Sequence, residues 1–160
     1  MRRIIGIDPG LSGGIAVLDM DGNVIEIRKM PETPQDILDC MRRYCGSMLF
    51  NNDVVCYLEK VGMGMPGQSS KATATFARHN GHLEMALLSL GIKTNSVTPN
   101  KWEKFYQLGK STGYSKTEWK NKLKAKAQQL FPKEKVTLAV CDSLLIAEYG
   151  RMQEVGIAKV

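Results

Sequence analysis

Apolar positions recur along the chain with two different periods, and the period changes from one segment to the next. Residues 3–7 (RIIGI) and 54–58 (VVCYL) are short continuous apolar runs, the pattern of strands buried on both faces. Residues 14–19 (GIAVLD) read as another strand, and residues 24–29 (VIEIRK) alternate with period two. Asp21-Gly22-Asn23 between them is a hairpin turn signal, so the chain is expected to open as an antiparallel meander of three strands. Helical spacing begins at Thr33-Pro34, with Ile37, Leu38, Met41 and Tyr44 on one face. Residues 61–70 (VGMGMPGQSS) have the composition of a mobile loop. A long helix is predicted over residues 71–90, with Phe76, Leu83, Leu87 and Leu88 at its apolar positions and Gly91 beyond its end. Residues 92–97 (IKTNSV) read as a fifth strand. Ser115 and Glu118 make a capping box for a helix running to about residue 130, where Pro132 stops it. A last helix begins between Thr137 and Asp142 and runs through LLIAEYGRM. This order predicts an α/β fold: a mixed five-stranded sheet flanked by helices.

The length of 160 residues, without internal repeats or a linker, suits a single domain over residues 1–160. A 43% hydrophobic and 24% charged composition argues against disorder. No uncharged run exceeds 10 residues, too few for a membrane-spanning helix. The opening MRRIIGIDPG enters strand-like sequence at once, unlike a secretory signal. Cys40, Cys45, Cys56 and Cys141 form no C-x2-C pair and lie far from both histidines, so zinc is not expected. They read as thiols in a reducing cytosol, which gives a cytoplasmic expectation.

Charge changes the picture in one region. Residues 93–135 hold eleven lysines against three acids, while the rest of the chain is weakly acidic. Such a block suits a polyanion, although a solvated helix surface has the same composition. Trp102, Phe105, Tyr106, Tyr114 and Trp119 interleave with the lysines, as in surfaces that carry nucleic acid. Trp119 also shares a helical stripe with Leu123, Ala127 and Leu130, which reads as core.

Three acids stand out by context. Asp8 and Glu59 each directly follow an apolar strand, and Asp142 lies between Val140-Cys141 and Leu144-Leu145-Ile146. A buried carboxylate needs a partner, and only Glu59 has a basic neighbour in sequence, Lys60. A divalent cation is one natural partner, and Mg²⁺ favours such oxygen donors. The plainer reading is two strand-end caps and one helix N-terminal acid. If the strands ending at Asp8 and Glu59 are neighbours, both carboxylates project at one sheet edge, and a helix starting near Asp142 supplies the third.

Ile5-Gly6-Ile7-Asp8-Pro9-Gly10-Leu11-Ser12-Gly13-Gly14-Ile15-Ala16-Val17 resembles the first motif of RuvC-type Holliday junction resolvases. Tyr57-Leu58-Glu59-Lys60-Val61 is similar to their second, and Asp142-Ser143-Leu144-Leu145-Ile146-Ala147-Glu148-Tyr149-Gly150 to their last. The resemblance spans nearly the whole chain in the family's order, and the compact form is most like the phage-encoded branch. It implies a ribonuclease H-like fold, a homodimer, and paired nicks across four-way DNA. It also implies Asp8, Glu59 and Asp142 as catalytic residues that bind two Mg²⁺ ions, with Mn²⁺ as a substitute. Lys116 sits where the family has a DNA-contacting lysine, and the lysine block makes Lys101, Lys104, Lys110, Lys120 and Lys124 further candidates for phosphate contacts. The helix over 71–90 is the candidate dimer contact, through Phe76 or Met85.

The chain departs from the family pattern at three places. Ala139 stands where a fourth ligand is usual, three residues before Asp142, and Glu148 lies on a different helical face. Gly62 replaces the aromatic that wedges into the junction, leaving Met63 and Met65 as apolar wedges. Glu103, between Lys101 and Lys104, replaces another DNA-contacting lysine. His79 and His82 read as packed or solvated helix residues rather than proton carriers. Three alternatives remain open. One is a junction-binding protein that is weak or inactive in cleavage. Another is a nuclease of the same fold that acts on RNA or other branched DNA. The last is an actin-like ATPase, which shares D-x-G but needs two such domains facing each other.

Overall fold

The first 29 residues lay down three strands, β1 (Arg3–Asp8), β2 (Gly14–Asp19) and β3 (Val24–Lys29), as an antiparallel meander. Two further strands, β4 (Val54–Glu59) and β5 (Lys93–Val97), extend the sheet in parallel on the other side of β1. The sheet order is β3-β2-β1-β4-β5, the mixed five-stranded sheet expected from the sequence. The computed structural model describes residues 2–45, 53–62 and 67–156. Met63 and Met65 lie outside the described residues.

Among the described residues the helices are α1 (Pro34–Arg42), α2 (Ser70–Ser89), α3 (Pro99–Phe105), α4 (Lys116–Leu130) and α5 (Cys141–Glu154). Local chemistry explains their starts. Thr33 caps α1 by accepting from the Asp36 amide, with Pro34 at the first helical position. Ser115 and Glu118 form the complete reciprocal box ahead of α4. The sequence reading missed α3, although Thr98-Pro99 is a cap followed by a first-turn proline. At seven residues it is too short to show a helical stripe, and what holds it is burial of Trp102.

Strand alternation sorts the core into two layers. Ile4, Ala16, Leu18, Val55, Tyr57 and Val97 face α3, α4 and α5, and are packed with Trp102, Trp119, Leu123 and Leu144. Ile5, Ile7, Ile15, Val17, Cys56 and Leu58 face α1 and α2, and are packed with Ile37, Met41, Leu83 and Leu87. The apolar stripe of α2 is narrower than its spacing suggests: Leu88 is 72% exposed, against 1% for Leu87. Among the described residues no helix is long and apolar enough to cross a membrane.

Helix α5 runs directly over the central strand. A Cβ added at Gly6 of β1 would lie 2.3 Å from the Ala147 amide nitrogen and 2.3 Å from the Ser143 carbonyl oxygen. Both obstacles are backbone, so they cannot rotate away. Gly6→Ala is therefore expected to cost at least about 3 kcal/mol, at or beyond the upper end of ordinary overpacking. Gly81→Ala, in α2 with open space at its Cβ, is expected to gain about 0.5–1 kcal/mol from helix propensity. Urea unfolding of the two variants checks both signs, and a Gly6→Ala protein as stable as the parent would refute the close approach.

Candidate active site

Strand parity and register bring the first two acids together. Ile7 of β1 is paired with Leu58 of β4, so Asp8 and Glu59, one residue further along, end neighbouring parallel strands at the same sheet edge. Ile7 and Leu58 face α1 and α2, so Asp8 and Glu59 face the opposite layer, where α5 lies. Asp142 stands in the first turn of α5. The three carboxylates converge from two strands and one helix. Glu59 is 7% exposed and Asp142 9%.

Each acid has a built environment. The Trp102 indole N–H donates to Glu59 Oε1 at 2.9 Å, entirely within the buried layer. The Cys141 thiol donates to Asp142 Oδ1 at 3.2 Å, and burial followed by the Asp142 charge pushes that thiol up to about 12. From α4, the Lys120 ammonium donates to Asp142 Oδ2 and lies 3.6 Å from Asp8 Oδ2. Burial alone would lower the Lys120 pKa, but the Asp142 and Asp8 carboxylates outweigh it and hold the value above the ordinary one.

One ammonium does not balance two buried carboxylates and the half-buried Asp8. Burial, then the Asp142 charge, raises Asp8 to about 6, against the opposing pull of Lys120. Burial, then the Asp8 charge, raises Glu59 to about 8, and the Trp102 hydrogen bond offsets only part of this. A fourth acid adds to this field. Glu103 of α3 accepts from the Trp119 indole N–H at 3.2 Å. Its pKa is raised by burial, with the Trp119 bond opposing and the Asp142 charge adding to the rise.

The donor set is hard oxygen with excess negative charge, the chemistry that suits a divalent cation of the Mg²⁺ type. Among the described residues Lys120 is the basic group in ion-pair contact with these acids. Among the described residues no three His, Cys, Asp or Glu side chains converge tightly enough to hold a metal ion as they stand. The donors fit such an ion by chemistry, and the ammonium on Asp8 and Asp142 occupies the position of the counter-charge.

The other residues singled out in the sequence fall in different places. Lys101, Lys104, Lys110 and Lys116 are exposed and Lys124 is half-buried. Lys104 and Lys110 line a groove of about 790 Å³ together with Glu103, Gln107 and Thr112. Lys120 is drawn into the acid cluster. Lys122, not singled out beforehand, is structural: its ammonium donates to the Leu108 carbonyl at 2.7 Å and lies over the Tyr114 ring. Phe76 is half-buried against the Gly10 turn of its own chain, whereas Met85 is 61% exposed. Glu148 is paired with Arg151. The Ala139 carbonyl oxygen would lie 2.7 Å from a Cβ at Gly14, so Ala139 backs onto the start of β2. His79 is buried, and its Nε2 has no hydrogen-bond partner among the described residues.

Trp102, Trp119 and Glu103 are the site residues that sequence reasoning did not place. Their only sequence signal was the tryptophans, and an indole N–H in a core usually finds an acceptor.

The raised carboxyl groups fix a pH dependence. In the unfolded chain Asp8 and Glu59 lose protons near their ordinary values of 3.8 and 4.5, but in the fold they do so near 6 and 8. The folded state therefore binds more protons in between, and the metal-free protein loses stability as pH rises from about 4 to about 8. Glu59→Gln keeps an acceptor for Trp102 and removes the Glu59 share of this loss, leaving that of Asp8. It is expected to melt at the parent's temperature near pH 4.5 and several degrees higher at pH 8.5, for a gain of about 2–4 kcal/mol. Melting in EDTA across that range is the check, and a difference that does not grow with pH would refute the account.

No protein-family sequence model matches the chain, and no curated protein sequence is similar to it. Its fold is shared with solved structures. Thermus thermophilus RuvC in complex with a Holliday junction substrate superposes with a TM-score of 0.66, covering 98% of this chain and 97% of that one at 14% identity. A second Thermus thermophilus RuvC structure superposes with a TM-score of 0.62, covering 96% of each chain, also at 14% identity. The chain thus has the RuvC fold over essentially its full length.

Proposed function

We propose that the chain is a divalent-metal-dependent DNA endonuclease that resolves four-way junctions by paired, symmetric nicks. The observation that carries this reading is the convergence of Asp8, Glu59 and Asp142 at one sheet edge, within a fold that matches RuvC from end to end. Two buried acids and a half-buried third with one lysine are poor stabilising elements but a good receptor for hard cations.

Asp8, Glu59 and Asp142 would hold Mg²⁺ or Mn²⁺. Such ions, when bound as a pair, supply activation of the attacking water and stabilisation of the leaving 3′ oxygen. The chain's own residues do the rest. Trp102 fixes the Glu59 carboxyl by its 2.9 Å hydrogen bond, and Cys141 fixes one oxygen of Asp142. Lys120 offsets part of the negative charge at Asp142 and Asp8, the carboxylates that a cation would share. Lys104 and Lys110, which line the groove, and Lys101, Lys116 and Lys124 would contact phosphates, so binding is expected to weaken on the order of a hundredfold or more between 50 and 200 mM salt.

A two-fold junction calls for two sites related by symmetry, which fits a homodimer. Met85, 61% exposed, and Leu88, 72% exposed, give α2 an apolar outer face suited to that contact. Met85→Asp together with Leu88→Asp should convert a dimer to a monomer in sedimentation without changing the far-ultraviolet circular dichroism. A parent that sediments as a monomer would refute the dimer.

A second reading is a junction-binding protein that does not cut. The pairing of Lys120 with two of the three acids favours it. One assay separates the two: a labelled four-way junction and its matched linear duplex, each with Mg²⁺, for the parent and for Asp8→Asn. Symmetric nicks confined to the junction and lost in Asp8→Asn support the nuclease. Tight binding without nicks supports the second reading. The acid cluster has its own test in Mn²⁺ titration without DNA. Lys120→Met removes the competing ammonium and should tighten Mn²⁺ binding about tenfold, the equivalent of one charge-assisted hydrogen bond. An unchanged affinity would mean that metal and ammonium do not share these carboxylates.

A further inference from the structure

The Lys120 ammonium and a divalent cation compete for the same oxygens. Lys120 donates to Asp142 Oδ2 and lies 3.6 Å from Asp8 Oδ2. A cation held by those acids repels an ammonium that stays beside them. The lysine is built to leave, because its charge ends a flexible aliphatic stem and its side chain is 32% exposed. Its helix is not free to follow. Trp119, the residue before it, is buried in the layer facing α5. The displaced ammonium therefore swings about a fixed backbone, and what it meets next is decided by its surroundings.

One carboxylate in its field is left over. Glu103 of α3 is half-buried, and the Trp119 indole N–H donates to its Oε1 at 3.2 Å. The residue next to Lys120 thus fixes where this carboxylate stands. Among the described residues Oε2 makes no hydrogen bond, and Glu103 forms no ion pair although Lys101 and Lys104 flank it in sequence. Burial raises its pKa, the Trp119 bond opposes that, the Asp142 charge adds to the rise and the Lys120 ammonium opposes it. The Lys120 charge is therefore felt at Glu103 without a contact between them. The other acids do not serve. Glu59 belongs to the cation site, and exposed Glu118 is engaged by the Ser115 amide. Glu103 also lines the groove of about 790 Å³ with Lys104 and Lys110. An ammonium swung toward that wall without a carboxylate would meet like charge.

We infer that Glu103 is the second seat of Lys120: it accepts the ammonium when Asp8 and Asp142 hold a divalent cation, and returns it when they do not. Glu103 is then a positioning residue that acts through Lys120 rather than a ligand. The inference rests on the cation-binding reading of the three acids and deepens it, because it says what becomes of their present counter-charge. It also gives a reason for an acid in the middle of the basic segment. Stranding one member of a partly buried ion pair is costly, whereas exchanging one partner for another is not. With Glu103 available, Lys120 is paired in both states.

The test is Mn²⁺ titration of the full chain without DNA, followed by electron paramagnetic resonance of the free ion. It compares the parent, Glu103→Gln, Lys120→Met and the double variant. Glu103→Gln keeps an acceptor for Trp119, and melting in EDTA confirms that it folds. In the parent background Glu103→Gln is expected to weaken Mn²⁺ binding about tenfold, because the displaced ammonium has no carboxylate to receive it. With Lys120 already replaced by Met the same substitution should cost less than about threefold, since the pair it breaks is gone. A purely structural role for Glu103 would not depend on Lys120. An equal loss in both backgrounds means that Glu103 acts on the cation itself and overturns the inference. So does no loss in either. In both of those cases a Lys120→Met protein that binds Mn²⁺ more tightly than the parent leaves the cation site standing. A parent that binds no Mn²⁺ overturns both.

Discussion

The arrangement depends on how closely α5 approaches β1. With hydrogen in place of a side chain at Gly6, the backbone of Ser143 and Ala147 rests against the central strand. The first turn of α5 is thereby held over the carboxyl end of β1. The same helix presses Gly150 against the Tyr57 ring of β4, where an added Cβ would lie 2.4 Å from the ring, so both neighbouring strands are registered against one rigid element. Asp142 is carried by this helix, and Asp8 and Glu59 by those two strands. The spacing of the three acids is thus set by backbone contact rather than by flexible side chains, as a site needing fixed geometry requires.

That geometry opposes stability. Packing places three acids where water is scarce, and a single ammonium and two hydrogen-bond donors are what the fold offers them. The result is a folded state that holds a proton near neutral pH and would release it to a cation. The opposition is local: it concerns one sheet edge, while the two apolar layers behind it are continuous and well filled. A fold of this kind can tolerate a few kcal/mol of electrostatic strain at one end because its cohesion lies elsewhere.

Much of this could be read from the sequence, for reasons that differ by element. The strands β1 and β4 were legible because both faces are covered, so their apolar runs are unbroken, and the acids were legible because they end those runs. The capping residues marked α1 and α4. What stayed hidden depends on tertiary contact. Helix α3 is held by Trp102 rather than by periodicity. Lys120 read as a candidate phosphate contact, and only the packing of α4 beside α5 turns it toward Asp142 instead of solvent. Glu103 looked like a break in a basic surface, and the Trp119 indole draws it into the field of the acids. His79 has no local signal at all, since a nitrogen without a partner among the described residues is a property of what surrounds it.

The two tryptophans show how the basic segment and the acid cluster are joined. Trp102 on α3 and Trp119 on α4 both bury their rings in the layer facing α5, and each gives its one N–H to a carboxylate, Glu59 or Glu103. An indole can do both because its body is apolar and its donor sits at one edge. Consecutive residues therefore serve opposite demands: Trp102 beside Glu103, and Trp119 beside Lys120. In each pair the aromatic ring anchors the helix and fixes where its charged neighbour stands relative to Asp142. The lysine-rich segment is then more than a solvated surface. Its two helices are fastened to the core at the points where they meet the acids, so a polyanion held by that segment would be held in register with the acids.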